Sequence, residues 1–211
     1  MKIMRKKERI NGIFNYFREN VPVAESELDF KNPYQLIVAV ILSAQCTDKR
    51  VNAVTRELFA GYNTPEKMLT LSQEQLEAKI HSCGFYRNKA KNILAMSKDL
   101  LTRFDGEVPS ELEKLQTLAG VGRKTANVVI AEAFKGQAIA VDTHVLRVSN
   151  RLGFVKTSNP YVCERALMQK FDPSIWGKLH LQLVHFGRYL CKAQRPNCRV
   201  CPFTQICQKD K

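Results

Sequence analysis

No stretch of this sequence is long and apolar enough to span a bilayer as a helix. The longest uninterrupted apolar run, Leu36 to Leu42, falls far short of the ~20 residues required. The basic start, Met1 to Arg9, lacks the apolar segment that would make it a secretory signal, so the expected location is the cytoplasm and no membrane partner is expected. Acidic residues are scarce, 20 against 33 Lys and Arg, and the formal net charge of +13 suits a polyanion such as nucleic acid, an anionic surface, or simply high solubility. A disulfide framework is not expected either, because seven cysteines is an odd count and cytoplasmic chains rarely keep bridges. Alternating strand patterns are missing: only Ala138 to Val141 is strand-like, and it has no evident pairing partner. The four histidines show no i, i+4 pair that would suggest a metal site. Low-complexity linkers and repeats of solenoid period are also lacking.

What is present is helical periodicity. Apolar residues recur at Ile10, Ile13, Phe14 and Phe17, at Val51, Val54 and Leu58, and at Ala90, Ile93, Leu94, Ser97 and Leu101, which marks core-facing helix stripes. Asn32-Pro33 and Thr64-Pro65 read as helix starts, and Ser72 to Gln75 and Ser110 to Glu113 as capping boxes. Gly84, Gly136 and Gly153 read as stops. The chain is therefore expected to be all-α.

Three patterns carry chemistry. In Leu115 to Val129, Gly120 and Gly122 stand one residue apart between two helical patterns. Both can take positive φ and admit a close backbone, and the next helix offers its free N–H groups to an anion such as a DNA phosphate. A plain helix–helix turn would use the same glycines. Lys124 follows two residues later, where its amine could reach a docked phosphate backbone, and Asp142 in Val141-Asp-Thr-His144 enters another helical pattern, as a cap or as a functional carboxylate. The third pattern is Cys191-x6-Cys198-x2-Cys201-x5-Cys207. Four thiolates so close suit one compact centre. Structural zinc usually takes two tight pairs with a longer insert between them, whereas all-cysteine ligation also suits a [4Fe–4S] cluster. Cys46, Cys83 and Cys163 lie in apolar or helical stretches and read as small buried residues.

Leu118-Ala-Gly-Val-Gly-Arg-Lys-Thr-Ala-Asn127, followed by Val-Asp-Thr-His 18 residues after Lys124, resembles the endonuclease III family of helix-hairpin-helix DNA glycosylases. Leu42-Ser-Ala-Gln-Cys-Thr-Asp48 and Gly84-Phe-Tyr-Arg-Asn-Lys-Ala90 resemble its two DNA-inserting loops, and the terminal cysteines resemble its cluster signature. The likeness covers about Pro33 to Cys207. Two positions depart from it: Ala119 stands where proline is usual, which loosens the turn, and Phe85 where leucine is frequent.

The resemblance implies two helical lobes with DNA between them. Residues 24–136 would form a helical barrel with the hairpin, and 1–23 with 137–211 a lobe carrying a [4Fe–4S] cluster on Cys191, Cys198, Cys201 and Cys207. It implies a monomer that excises damaged pyrimidines from duplex DNA during base excision repair, flipping the target nucleotide out of the stack. Lys124 would be the nucleophile, forming a Schiff base that permits β-elimination at the abasic site, and Asp142 its acidic partner. Gln45 would fill the gap left by the extruded nucleotide and Phe85 would wedge into the stack. Gly120, Gly122, Lys192 and Arg195 would grip phosphates.

Overall fold

A computed structural model describes residues 6–21 and 25–208, and among them every regular element is helical. The chain divides into two compact units: a continuous one, Ser26–Gly136, and a discontinuous one formed by the residues up to Glu25 with those from Gln137 onward. The expected boundary at residues 23 and 24 lies outside the described residues.

In the continuous unit, α2 (Pro33–Ser43) has Tyr34 through Leu42 buried on every side. A helix apolar all round must sit inside a core, and the longest apolar run in the sequence is this one. Around it pack α3 (Asp48–Gly61), α6 (Tyr86–Arg103) and α8 (Arg123–Glu132). The helix α4 (Pro65–Met68) and the helix α5 (Gln73–Ile80) lie against α6, and α7 (Leu112–Leu115) lies against α8. Asn32 and Thr64 cap their proline-led helices with side-chain oxygens, and Ser72 forms a reciprocal capping box with Gln75. The second expected capping box does not form. Glu111, not Ser110, is the N-cap of α7, with no side-chain cap, and its carboxylate pairs with Lys114 at 2.7 Å.

On α6 the core face is Ala90, Ile93, Met96, Ser97 and Leu100, while Leu101 is only half-buried. The Ser97 hydroxyl donates to the Ile93 carbonyl at 2.7 Å, so at the 2.7 Å contact between Tyr34 and Ser97 the phenol is the donor. Burial raises the Tyr34 phenol well above its ordinary pKa, which keeps it neutral and able to donate.

The discontinuous unit is built on aromatic packing. Phe17 of α1 (Lys6–Asn20) meets Phe186 at 5.3 Å and Phe203 at 5.8 Å between ring centroids, both edge to face. The amide of Gln182 on α11 (Trp176–His185) donates to the carbonyls of Phe17 and Val21. Between these parts run α9 (Thr143–Arg151) and α10 (Pro160–Lys170), and a π-helical turn, Phe186–Leu190, leads into the cysteine-rich end. Ala138 to Val141 is buried coil with no strand pairing.

Replacing Ser97 by Ala is expected to leave the buried Tyr34 hydroxyl without its acceptor and to cost about 1–3 kcal/mol. Adding Tyr34→Phe should recover much of that loss, as measured by urea denaturation of both variants.

Candidate functional site

Only one of the two hairpin glycines needs positive φ. Gly120 has φ +77°, and a Cβ there would lie 2.9 Å from the Cβ of Asn92 on α6, so both conformation and space require glycine. Gly122 instead is extended, with φ −81° and ψ 174°, and a Cβ there would meet nothing within 4 Å. Of the two glycines that can take positive φ, only Gly120 does so: the turn reverses there, and Gly122 already serves as the extended N-cap of α8. No side chain caps that helix, so its first amides keep the orphan-donor character of a helix start. Lys124 lies in this first turn, exposed.

Two loops at the end of α2 and the start of α6 carry the other sequence-predicted residues of this unit. Gln45 is exposed with φ +54°, and Phe85 is 64% exposed with φ +47°. A non-glycine residue in this left-handed region costs roughly 1–2 kcal/mol, and such strain persists only where the surroundings hold it. Lys89, overlooked in the sequence reading, supplies a hold. It is buried, and its Nζ donates to the carbonyls of Leu42 at 2.8 Å, Ala44 at 2.7 Å and Cys83 at 2.6 Å. Burial lowers its pKa, opposed by the neighbouring Cys83 and Cys46. Burial, then Cys46, pushes the Cys83 thiol up to about 11.

In the discontinuous unit, Asp142 is half-buried and is the N-cap of α9, its Oδ1 accepting from the Val145 amide at 2.8 Å. One and two turns along, Arg147 and Arg151 reach the cysteine segment. Arg147 donates to the carbonyls of Cys191 and Gly187, and Arg151 to those of Lys192 at 2.8 Å and Ala193 at 3.2 Å. Arg151 also donates to the Cys191 sulfur at 3.3 Å. The π-helical turn comes so close to α9 that a Cβ on Gly187 would lie 2.9 Å from that of His144.

Cys191, Cys198, Cys201 and Cys207 together line a cavity of about 160 Å³, with Arg151, Leu190 and Pro196 in its wall. The Cys201 thiol is raised by burial and then by the other three cysteines, while the Phe203 amide lowers it. Among the described residues no three His, Cys, Asp or Glu side chains close tightly enough to hold a single metal ion. Lys192 and Arg195 are exposed between the first two cysteines, Arg195 with φ +47°.

Comparison with known proteins places the chain in a family. Residues 38–173 match the family model described as HhH-GPD superfamily base excision DNA repair protein. The chain is 46% identical over 198 residues to the endonuclease III of Rickettsia conorii, covering 94% of each. It is 50% identical over 189 residues to that of Bacillus subtilis, covering 89% of this chain and 86% of the relative. Its fold is similar to that of a trapped endonuclease III–DNA covalent intermediate, with a TM-score of 0.93, 45% identity and 97% of each chain covered.

The two hairpin glycines are expected to behave differently on substitution. Gly120→Ala should lower stability by at least about 1–2 kcal/mol, from its φ alone, plus the clash with Asn92. Gly122→Ala should leave stability unchanged or raise it by up to ~1 kcal/mol through the less flexible unfolded chain. Thermal unfolding of the pair measures the contrast.

Proposed function

The chain belongs to the HhH-GPD superfamily of base excision DNA repair proteins, and we propose that it is a bifunctional DNA N-glycosylase that removes oxidised pyrimidines from duplex DNA and cleaves the resulting abasic site. The observation that carries the reading is the hairpin. Gly122 leaves open space that the protein's own packing does not use, beside an uncapped helix start and an exposed lysine. A backbone phosphate can approach Gly122 and accept from the amides of α8, which would bring the sugar within reach of Lys124. The trapped covalent intermediate formed by a relative of 45% identity supports a nucleophilic route.

On this reading the target nucleotide is extruded, because the sugar carbon under attack is shielded within the stack. Gln45 fills the vacancy and Phe85 enters the stack. The neutral amine of Lys124 attacks C1′, and the glycosidic bond breaks with its electron pair leaving on the base. Loss of a proton and opening of the sugar ring give a Schiff base. Removal of a 2′ proton then expels the 3′ phosphate by β-elimination. Asp142, held by the Val145 amide through one carboxylate oxygen, stabilises the positive charge developing on the sugar. Lys192 and Arg195 add sequence-independent grip on phosphates.

The cysteine cavity fits a [4Fe–4S] cluster. Its donor set is all sulfur, its volume exceeds what one ion needs, and an arginine N–H already points at one sulfur. A single zinc at ~2.3 Å from each sulfur would require the thiolates to close much more tightly. When bound, the cluster supplies iron–thiolate bonds that fix residues 191–207. We assign the barrel and hairpin to 24–136 and the cluster lobe to 1–23 with 137–211. No described helix is long and apolar enough to cross a membrane, and the proposed setting is the cytoplasm, with the protein on nucleoid DNA as a monomer.

Lys124→Gln should still bind a duplex bearing an oxidised pyrimidine yet form no borohydride-trappable adduct. Asp142→Asn should slow base removal by about 10²-fold or more while retaining some cleavage of preformed abasic sites. Adduct formation by Lys124→Gln at the parental level would overturn the assignment of the nucleophile. Purified protein should contain about four irons per chain, and Cys198→Ser should lose them. Stoichiometric zinc without iron in anaerobically prepared protein would overturn the cluster.

A further inference from the structure

We propose that Lys89 is a positioning residue for base extrusion, a clamp that holds the Gln45 and Phe85 loops in register so that both enter the duplex as one unit; the proposal rests on the glycosylase reading above. An ammonium has three N–H donors, and at Lys89 all three go to backbone carbonyls: Leu42 and Ala44 on one loop, Cys83 on the other. Each acceptor lies within three residues of a left-handed, exposed, non-glycine residue, Gln45 or Phe85. The lysine grows from the first turn of α6, the helix whose N-cap is Phe85 itself. The same helix contacts the hairpin through Asn92 at Gly120, so one rigid element connects both loops to the phosphate-gripping turn.

The chemistry of the acceptors explains why a charge is placed here. Leu42 and Ala44 end a buried helix, where carbonyls have no helical donor, and the Leu42 carbonyl is buried away from water. A neutral side chain offers too few donors for three converging carbonyls, and a guanidinium is planar and cannot direct three N–H bonds from a single nitrogen. Without the clamp the two loops could still fold, but each could relax from its left-handed conformation independently. The cost would fall on insertion into a stacked duplex and not on the chemistry at C1′.

That distinction supplies the test. Single-turnover excision of an oxidised pyrimidine from duplex DNA is compared with borohydride trapping on a single-stranded oligonucleotide carrying a preformed abasic site, where no stack must be opened. In Lys89→Met, duplex excision should fall about 10- to 100-fold, with single-strand trapping within about twofold of the parent. The fluorescence rise of 2-aminopurine placed opposite the lesion should slow in parallel. Leu76→Ala, which truncates the core of the same unit, should not move the ratio of the two activities. In a Phe85→Ala background Lys89→Met should add far less than it does alone, since the clamp acts through the wedge. Should Lys89→Met fail to fold, Lys89→Arg provides the same ratio with the charge retained. Equal loss on both substrates, or an unchanged ratio, overturns the clamp while leaving the glycosylase reading intact. A parent protein that excises nothing from the damaged duplex overturns both.

Discussion

A helix buried on every side must still satisfy the carbonyls at its end, and α2 meets that demand by converging Leu42 and Ala44 on the Lys89 ammonium. Water cannot serve the buried Leu42 carbonyl, and leaving such a group unpaired costs about as much as a lost hydrogen bond. The solution draws in a third carbonyl, from Cys83, and thereby ties the exit of α2 to the entry of α6. Because α6 also touches the hairpin at Gly120, the burial of one helix organises all the exposed positions of this unit that the proposed function uses.

The discontinuous unit uses arginine where the continuous one uses lysine. Arg147 and Arg151, two turns of one face of α9, gather the carbonyls of Gly187, Cys191, Lys192 and Ala193. Planar guanidinium groups suit carbonyls spread along a segment, whereas a tetrahedral ammonium suits three carbonyls converging on a point. The helix that begins at Asp142 is therefore also the backing of the cysteine segment, so disorder in one would reach the other through these hydrogen bonds.

Much of this was legible in the sequence where the signal is local. Asn32-Pro33, Thr64-Pro65 and Ser72 to Gln75 start helices as read, because capping depends on residues within one turn. The all-helical class followed from periodicity. Ser110 does not cap because α7 starts one residue later, with Glu111 as its N-cap, a shift that local pattern does not resolve. Which of Gly120 and Gly122 uses positive φ was not legible, because a glycine signals freedom and not which conformation is used. Lys89 was invisible for a deeper reason: its partners are backbone carbonyls, two of them 47 and 45 residues away, and no side-chain pattern encodes them. Gathering Cys191, Cys198, Cys201 and Cys207 around one cavity was the part of the site most plainly written in spacing.

The division of the discontinuous unit has a consequence for the order in which the protein is made. Its helix α1 leaves the ribosome before the continuous unit, yet the amide that secures Phe17 belongs to Gln182, 165 residues later. At ~5–20 residues per second of synthesis, Phe17 waits roughly ten to thirty seconds for that partner, longer still for Phe203. The continuous unit has all its core residues before Gly136 and can be folded by then. Throughout that interval the nascent chain carries an apolar helix face, Ile13 and Phe17, with no core to enter, which makes α1, translated ahead of the continuous unit, secured only after it and dependent on protection during synthesis.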